Sequence, residues 1–184
     1  MDISTVFKMP KVTTITARTS SMTNAFVSGI IPCVYPTKSE IKMNLDILGL
    51  DYLDLRCSYC GDKCTEWDHL RPIVKDKRPT GYISDIYNLV PSCGKCNQSK
   101  GNKDWYEWII GDSKLSPKTR KIENLDDKIE RLRKFQEWKD VKPIKFEKLV
   151  DMEIWRKHWE NCEEIHSIMK EYQKHTLKVK KQNK

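Results

Sequence analysis

The sequence lacks a long hydrophobic run. The longest apolar-leaning stretch, residues 25–35, is interrupted by Ser28, Gly29 and Pro32 and is too short to span a bilayer. The chain also lacks a basic-then-apolar opening segment of the kind that directs secretion. We therefore expect a cytoplasmic protein with no membrane partner. The sequence also lacks internal repeats and low-complexity tracts.

The sequence also lacks an even number of cysteines. It has seven and no export signal, which disfavours a disulfide framework. Four of them form two Cys-x-x-Cys pairs, Cys57 with Cys60 and Cys93 with Cys96. Four soft thiolates in this paired spacing are what a tetrahedral structural zinc site requires. Four buried free cysteines are the alternative, and Cys64 is an alternative ligand. The pairs are separated by residues 61–92, more than a simple zinc ribbon needs, so we expect folded structure between them.

Composition and charge indicate a soluble globular chain with a basic surface. Its 184 residues favour one domain with extensions, and 34 Lys and Arg against 26 Asp and Glu give a net charge of +8. This excess favours a polyanionic partner such as nucleic acid, although a solvated basic surface without a partner is an equal alternative.

Hydrophobic periodicity predicts helices on both sides of the cysteine region. Thr37 and Glu40 have the spacing of a capping box at the start of a helix, after a Thr/Ser-rich N-terminal arm. Beyond residue 121, apolar residues recur every three or four positions in two stretches, 122–138 and 146–172, and predict two amphipathic helices. The apolar faces of these two helices form either part of the core or a dimer surface. The Lys-rich end, residues 176–184, is expected to fray. These patterns divide the chain into residues 1–53, 54–110 and 111–184.

The segments beside the cysteine pairs contain the side chains that phosphodiester hydrolysis needs. Asp68 is a hard oxygen ligand suited to Mg²⁺, and its neighbour His69 can act as a general base near neutral pH. Asn97 offers a second oxygen ligand, and Asn88 has groups that could orient the imidazole. Each residue alone is more often structural. A zinc ion joining the cysteine pairs would bring Asp68, His69 and Asn97 into one neighbourhood, where a metal ion could activate water against a phosphodiester.

Residues 54–110 resemble the HNH endonucleases. The motifs that carry the resemblance are Cys57-x-x-Cys60, Asp68-His69, Asn88-Leu89-Val90-Pro91 and Cys93-x-x-Cys96-Asn97-x-x-Lys100-Gly101. The family implies an α+β fold, a small ββα-metal core with a structural zinc site. Here an N-terminal arm and C-terminal α-helices would flank this core. In that core Asp68 and His69 end the first strand, Asn88 precedes or begins the second, and a helix follows Cys96.

The resemblance also implies a role for each motif residue. His69 would be the general base, and Asn88 would fix the loop that carries it. Asp68 and Asn97 would hold a catalytic Mg²⁺ or Mn²⁺, with asparagine in place of the histidine that some members have there. The implied zinc ligands are Cys57, Cys60, Cys93 and Cys96.

Basic residues around this core are candidate phosphate contacts. Lys75, Lys77 and Arg78 lie in the long connection of residues 74–87, which we interpret as a basic loop against the DNA backbone or, alternatively, a mobile solvated loop. Further candidates of low specificity are Arg71, Lys100 and Lys103.

The resemblance implies a metal-dependent endonuclease that cleaves double-stranded DNA to 5′-phosphate and 3′-hydroxyl ends. A type II restriction enzyme is our first hypothesis. It would be a homodimer, because one site cuts one strand and a two-fold dimer addresses both strands of a palindrome. A cognate DNA methyltransferase is then a candidate partner. The alternatives are a mobile-element or phage nicking nuclease, a non-catalytic zinc-stabilised nucleic-acid-binding module, and an interaction protein organised by the C-terminal helices.

Overall fold

The computed structural model of the chain describes residues 6–183. These residues form two compact units, the first from residues 6–26 with 147–183 and the second from residues 27–146. The boundaries expected after residues 53 and 110 both lie inside the second unit, and the three-part division stays a prediction.

The chain has an α+β arrangement in which two helices precede a group of four short strands and four helices follow it. The helices are α1 (Thr19–Ser28), α2 (Lys38–Leu48), α3 (Gly94–Lys100), α4 (Trp105–Ile109), α5 (Leu125–Glu137) and α6 (Met152–Gln182), and the strands are β1 (Glu66–His69), β2 (Val74–Lys75), β3 (Arg78–Pro79) and β4 (Leu89–Ser92). Single 3-10 turns occur at Ile15–Arg18 and Phe146–Lys148. Within the described residues no helix is both long and apolar enough to cross a membrane.

The predicted capping box at the start of α2 is confirmed. The backbone N–H of Glu40 donates to Thr37 Oγ1 at 3.3 Å, and the backbone N–H of Thr37 donates to the Glu40 carboxylate at 2.7 Å. The helix ends at Gly49, whose φ of 63° is left-handed and therefore favours glycine. A β-carbon there would also lie 2.5 Å from Arg131, which donates to the carbonyls at this helix end.

Strands β1 and β4 form a two-stranded antiparallel sheet, with Asp68 opposite Val90 and His69 opposite Leu89. This confirms that Asp68 and His69 end the first strand and that Asn88 directly precedes the second.

The region after the second cysteine pair differs from the single helix predicted to follow Cys96. Helix α3 begins before this cysteine, at Gly94, and ends at Lys100, and its C-cap Gly101 has a φ of 51°. A second short helix, α4, starts after Asp104, whose side chain accepts hydrogen bonds from two backbone N–H groups of the first turn. Glycine followed by a strong N-cap thus divides the predicted helix in two.

The connection between β1 and β4 is also more ordered than the predicted loop. Strands β2 and β3 form a hairpin with a two-residue turn, Asp76 and Lys77, both at positive φ (50° and 61°). Hairpins of this length favour a turn with two left-handed residues, because its twist matches that of the strands. The sequence lacks the Asn-Gly or Asp-Gly signal of such turns, which is why the hairpin was not predicted.

The core of the second unit lies beneath the cysteine pairs. Tyr59, from the first Cys-x-x-Cys turn, packs edge-to-face on Trp108 with ring centroids 5.2 Å apart. Leu132 and Phe135 of α5 complete the same cluster, which confirms that the first C-terminal amphipathic helix forms core. The two Cys-x-x-Cys turns, called the knuckles below, are thus part of the main core and do not lie at its periphery.

The first unit consists of the N-terminal segment packed along α6. Three hydrogen bonds join Ile15 to Gln173 (2.7 Å), Thr23 to His166 (3.2 Å) and Phe26 to His158 (3.1 Å). Since the partner number falls along α6 as the N-terminal number rises, the two segments run antiparallel. The prediction of a fraying tail was wrong over most of its length, because α6 continues to Gln182. This tail contains neither glycine nor proline, and lysines in the last turn complement the helix dipole.

Candidate metal and catalytic site

The four paired cysteines meet in one buried cluster. Their Sγ atoms all lie within 4.8 Å of one another, and Cys60 Sγ is 3.7 Å from Cys93 Sγ. Zn–S bonds of about 2.3 Å in a tetrahedron imply sulfur separations of about 3.8 Å, so the geometry fits zinc. Cys64 is outside this cluster and donates to the Glu66 carbonyl at 3.3 Å, so the alternative ligand is not favoured.

Local backbone structure presents the two pairs of thiols to each other. In the first turn, the N–H of Gly61 donates to the Cys57 carbonyl at 2.8 Å. This turn is attached to β4, where the N–H of Ser58 donates to the Pro91 carbonyl at 2.8 Å. The second pair follows β4 directly, since Cys93 is the N-cap of α3. One strand therefore carries one knuckle and contacts the other.

Hydrogen bonds among the buried sulfurs lower the pKa of the Cys57 thiol and raise that of the Cys96 thiol. Hydrogen bonds from Cys60 and Cys96 lower the pKa of Cys57 to about 4, against the opposing effect of burial. Arg120 adds a positive charge nearby, because its guanidinium donates to Cys96 Sγ at 3.4 Å and to Asp62 at 2.8 Å. Arg120 was not predicted, because no pattern in the sequence relates an arginine in a loop to a cysteine 24 residues earlier.

Asp68 is 5 % exposed and tightly held. The Tyr59 hydroxyl donates to its Oδ2 at 2.7 Å, and Lys100 Nζ lies 3.1 Å from Oδ2 and 3.4 Å from Oδ1. Burial raises the pKa of Asp68, and the charge of Lys100 opposes that rise. Burial likewise lowers the pKa of Lys100, and Asp68 opposes it. The two side chains form a buried ion pair at the end of β1.

Lys100 is therefore not placed with the surface residues that we expected to contact DNA. It is only 1 % exposed, and its ammonium also donates to the His69 carbonyl at 2.7 Å. A lysine inside a protein needs a compensating charge, and here that charge comes from a residue 32 positions earlier. The sequence shows a basic residue beside Gly101 but does not show which way it points.

We expect Lys100→Met to lower the free energy of unfolding by about 3–5 kcal/mol, because it leaves the buried Asp68 carboxylate without its cation. Guanidinium unfolding with zinc present measures this loss. The exposed Lys95 lies on the same helix, and Lys95→Met should change stability by less than about 0.5 kcal/mol. Combining Lys100→Met with Asp68→Asn should restore most of the loss. Equal losses in the single and double variants would contradict the ion-pair explanation.

His69 is poised as a neutral imidazole. Its Nε2 lies 2.8 Å from Ser84 Oγ. Burial, followed by the positive charge of Lys100, lowers the pKa of His69 to about 4, so the ring is neutral at pH 7. A neutral histidine has one free ring nitrogen, which can accept a proton from water.

Asn88 is fully buried and braces the loop that follows His69. Its Oδ1 accepts from the backbone N–H of Arg71 at 2.8 Å, and its Nδ2 donates to the carbonyls of Arg71 (3.0 Å) and Ile83 (3.3 Å). One side chain thus ties the segment after β1 to the segment before β4.

Asn97 lies on the face of α3 that packs on β1. Its Nδ2 donates to Glu66 Oε2 at 2.9 Å. One helical turn after Asn97, Lys100 contacts Asp68, which lies two residues after Glu66 on β1. Residues two apart on a strand share a face, as do residues three apart on a helix. Asp68 and Asn97 therefore belong to the same strand–helix face.

This pair fits a hard divalent cation by the chemistry of its donors. A carboxylate can accept about four hydrogen bonds or ligand contacts. The Asp68 carboxylate receives three contacts, two at Oδ2 from Tyr59 and Lys100 and one at Oδ1 from Lys100, so Oδ1 can still bind a cation. The hydrogen bond of Asn97 uses its nitrogen, so its carbonyl oxygen remains a potential ligand. Carboxylate and amide oxygens are ligands suited to Mg²⁺ or Mn²⁺.

The other candidate phosphate contacts differ in exposure. Lys75, Lys77 and Lys103 are exposed, and Arg78 is half-buried. Arg71 is held by the protein itself, since its guanidinium donates to the carbonyls of Tyr87 (3.3 Å) and Gln136 (2.7 Å). A cavity of about 670 Å³, whose lining includes Lys75, Tyr82, Lys103 and Trp108, separates the hairpin from the start of α4.

Comparison with known proteins supports the interpretation of this region. Residues 57–103, about a quarter of the chain, match the family model described as HNH endonuclease. This span contains both cysteine pairs and every motif residue from Asp68 to Lys100. Neither a curated protein nor a solved structure matches the chain. The match indicates a nuclease domain with DNA as its substrate.

Proposed function

We propose that the protein is a metal-dependent endonuclease that hydrolyses double-stranded DNA to 5′-phosphate and 3′-hydroxyl ends. The observation that carries this proposal is the end of β1, where a neutral His69 follows a buried Asp68 on the strand that faces Asn97. The family match to the same residues supports it.

In this proposal Asp68 and Asn97 hold Mg²⁺ or Mn²⁺. The chemistry supplied by the bound ion is polarisation of the phosphate and screening of its charge. His69 accepts the proton of the attacking water, which it can do because its ring is neutral at working pH. Asn88 acts at a distance by bracing the loop behind His69, and Lys100 keeps the Asp68 carboxylate ionised.

The surface around this site is suited to a nucleic-acid backbone. Lys75 and Lys77 of the hairpin and Lys103 beyond α3 are exposed, and the chain as a whole carries a charge of +8. We propose that these lysines bind phosphates, while Arg78 and Arg71 support the hairpin and its neighbouring loop. Such binding weakens as salt rises, because counterions compete for the phosphates.

The proposed biological role is type II restriction by a homodimer. One such site cuts one strand, and a two-fold dimer presents two sites to the two strands of a palindrome. A cognate DNA methyltransferase would protect host sites from cleavage. A mobile-element nickase uses the same chemistry without the dimer.

The test is cleavage of supercoiled plasmid and phage DNA by zinc-loaded protein, with Mg²⁺ supplied or withheld. Withholding Mg²⁺ is preferable to adding EDTA, because EDTA also removes zinc. We expect discrete fragments with Mg²⁺ only, and end-mapping then gives the site and stagger. Nicked circles or a smear would retain the chemistry and overturn the restriction role. Salt-sensitive binding without cleavage, in Mg²⁺ and in Mn²⁺, would instead indicate a non-catalytic binding module.

A further inference from the structure

The hydrogen bond between His69 and Ser84 joins the proposed base to a residue outside the HNH motif positions. Ser84 Oγ lies 2.8 Å from His69 Nε2, and both side chains are partly buried. A neutral imidazole carries one N–H, so the partner of one ring nitrogen influences which nitrogen holds the proton. Ser84 can therefore act on the chemistry of His69 without touching substrate.

Ser84 is itself held by a segment far away in sequence. Its backbone N–H donates to the Pro32 carbonyl at 3.1 Å, and its carbonyl accepts from the N–H of Val34 at 2.9 Å. Through these two bonds Cys33 and Ser84 form a parallel β-bridge. The preceding residue is also fixed, because the Ile83 carbonyl accepts from the Asn88 amide.

Backbone bonds from two directions thus define where the Ser84 hydroxyl lies. Residues 32–34 are outside the region that matches the HNH family, which begins at residue 57. This bridged segment belongs to the same compact unit as the site but lies before α2 in the sequence.

We propose that Ser84 is a positioning residue for His69. Its Oγ accepts a hydrogen bond from Nε2–H, which leaves Nδ1 unprotonated as the atom that accepts a proton from water. Backbone groups of residues 32–34 hold Ser84 in place, so the structural support of the site extends beyond the family core. The consequence for cleavage rests on the proposed nuclease function, whereas the consequence for the histidine tautomer does not.

The first test compares Ser84→Ala with Ser84→Thr in the zinc-loaded protein. We expect Ser84→Ala to lower kcat by about tenfold or more, as removal of outer partners of site residues commonly does, with KM nearly unchanged. Ser84→Thr retains the hydroxyl and should restore most of the rate. Unchanged cleavage by Ser84→Ala, or no recovery in Ser84→Thr with zinc retained in both, would overturn the proposal.

The second test reads the tautomer directly and needs no activity. Nitrogen-15 NMR of the His69 ring at neutral pH should show the Nε2–H form in the native protein and a mixture of tautomers in Ser84→Ala. A native ring protonated at Nδ1 would overturn the proposal. If the predicted tautomer is seen and lost as expected but the native protein does not cleave DNA, the nuclease function fails and the positioning role stands.

The third test removes the support of Ser84 through the backbone. Val34→Pro deletes the N–H that donates to Ser84, and Val34→Ala keeps it. Since the Val34 side chain is 54 % exposed, the alanine variant should behave like the native protein. We expect Val34→Pro to reproduce the tautomer mixture of Ser84→Ala. A native-like ring in Val34→Pro would show that residues 32–34 do not position the site.

Discussion

Replacement of His69 by alanine is expected to lower the rate of DNA cleavage by about 10²–10⁴-fold, the usual contribution of a general base. His69 is the one histidine of the second unit, and the other three histidines of the sequence lie on α6 of the first. The measurement is single-turnover cleavage of a plasmid at saturating enzyme, so that DNA binding does not limit the rate.

Two controls make the His69 result specific. His175→Ala changes an exposed histidine of α6 and should leave the rate unaltered. Zinc content and the unfolding transition of His69→Ala should match those of the native protein. A loss smaller than about tenfold, with zinc retained, would show that His69 is not the general base.

Removal of zinc is expected to unfold the second unit. Structural zinc sites contribute about 10–16 kcal/mol of apparent binding energy in small zinc domains at pH 7, which exceeds or equals the whole stability of most domains. Here the four cysteines lie inside the main core, in one cluster with Tyr59 and Trp108. Without the ion, the two Cys-x-x-Cys turns would lose the ligand that joins them.

Chelator titration, followed by tryptophan fluorescence and circular dichroism, measures this loss. Trp105 and Trp108 belong to the core cluster and report on it directly. Cys96→Ser should weaken zinc binding strongly and shift unfolding to lower chelator concentration. Cys33→Ser changes an exposed cysteine outside the cluster and is the matched control. A core that keeps its native spectrum after complete zinc removal would contradict a structural role.

The features that were predicted correctly depend on neighbours in sequence. The capping box at Thr37 spans four residues, and each Cys-x-x-Cys pair is complete within one turn. In these two cases the groups that interact are only a few residues apart, so local geometry is sufficient. The placement of Asp68 and His69 at the end of a strand, with Asn88 before the next, was instead implied by the resemblance to the HNH endonucleases.

The helix boundaries and the hairpin were harder to predict because backbone conformation is set at single residues. Gly101 at positive φ ended α3 early, and Asp104 began a new helix. Asp76 and Lys77 formed a tight turn without the glycine that usually signals one. The sequence predicted one helix for the first region and a loop for the second, and only the path of the backbone shows the two helices and the hairpin.

The residue types and spacings in the sequence were sufficient to indicate the four clustered cysteines, and the family resemblance added the proposed roles of Asp68 and His69. The basic surface that binds a partner stays a prediction. Tertiary structure decided how these groups are supported: Lys100 pairs with Asp68 in the interior, Tyr59 donates to the same carboxylate, and Ser84 contacts His69. Burial and long-range pairing determine those roles. They arise only when β1, α3 and the segment before β4 are packed together. That packing cannot be predicted from the residues on either side of each group in the sequence.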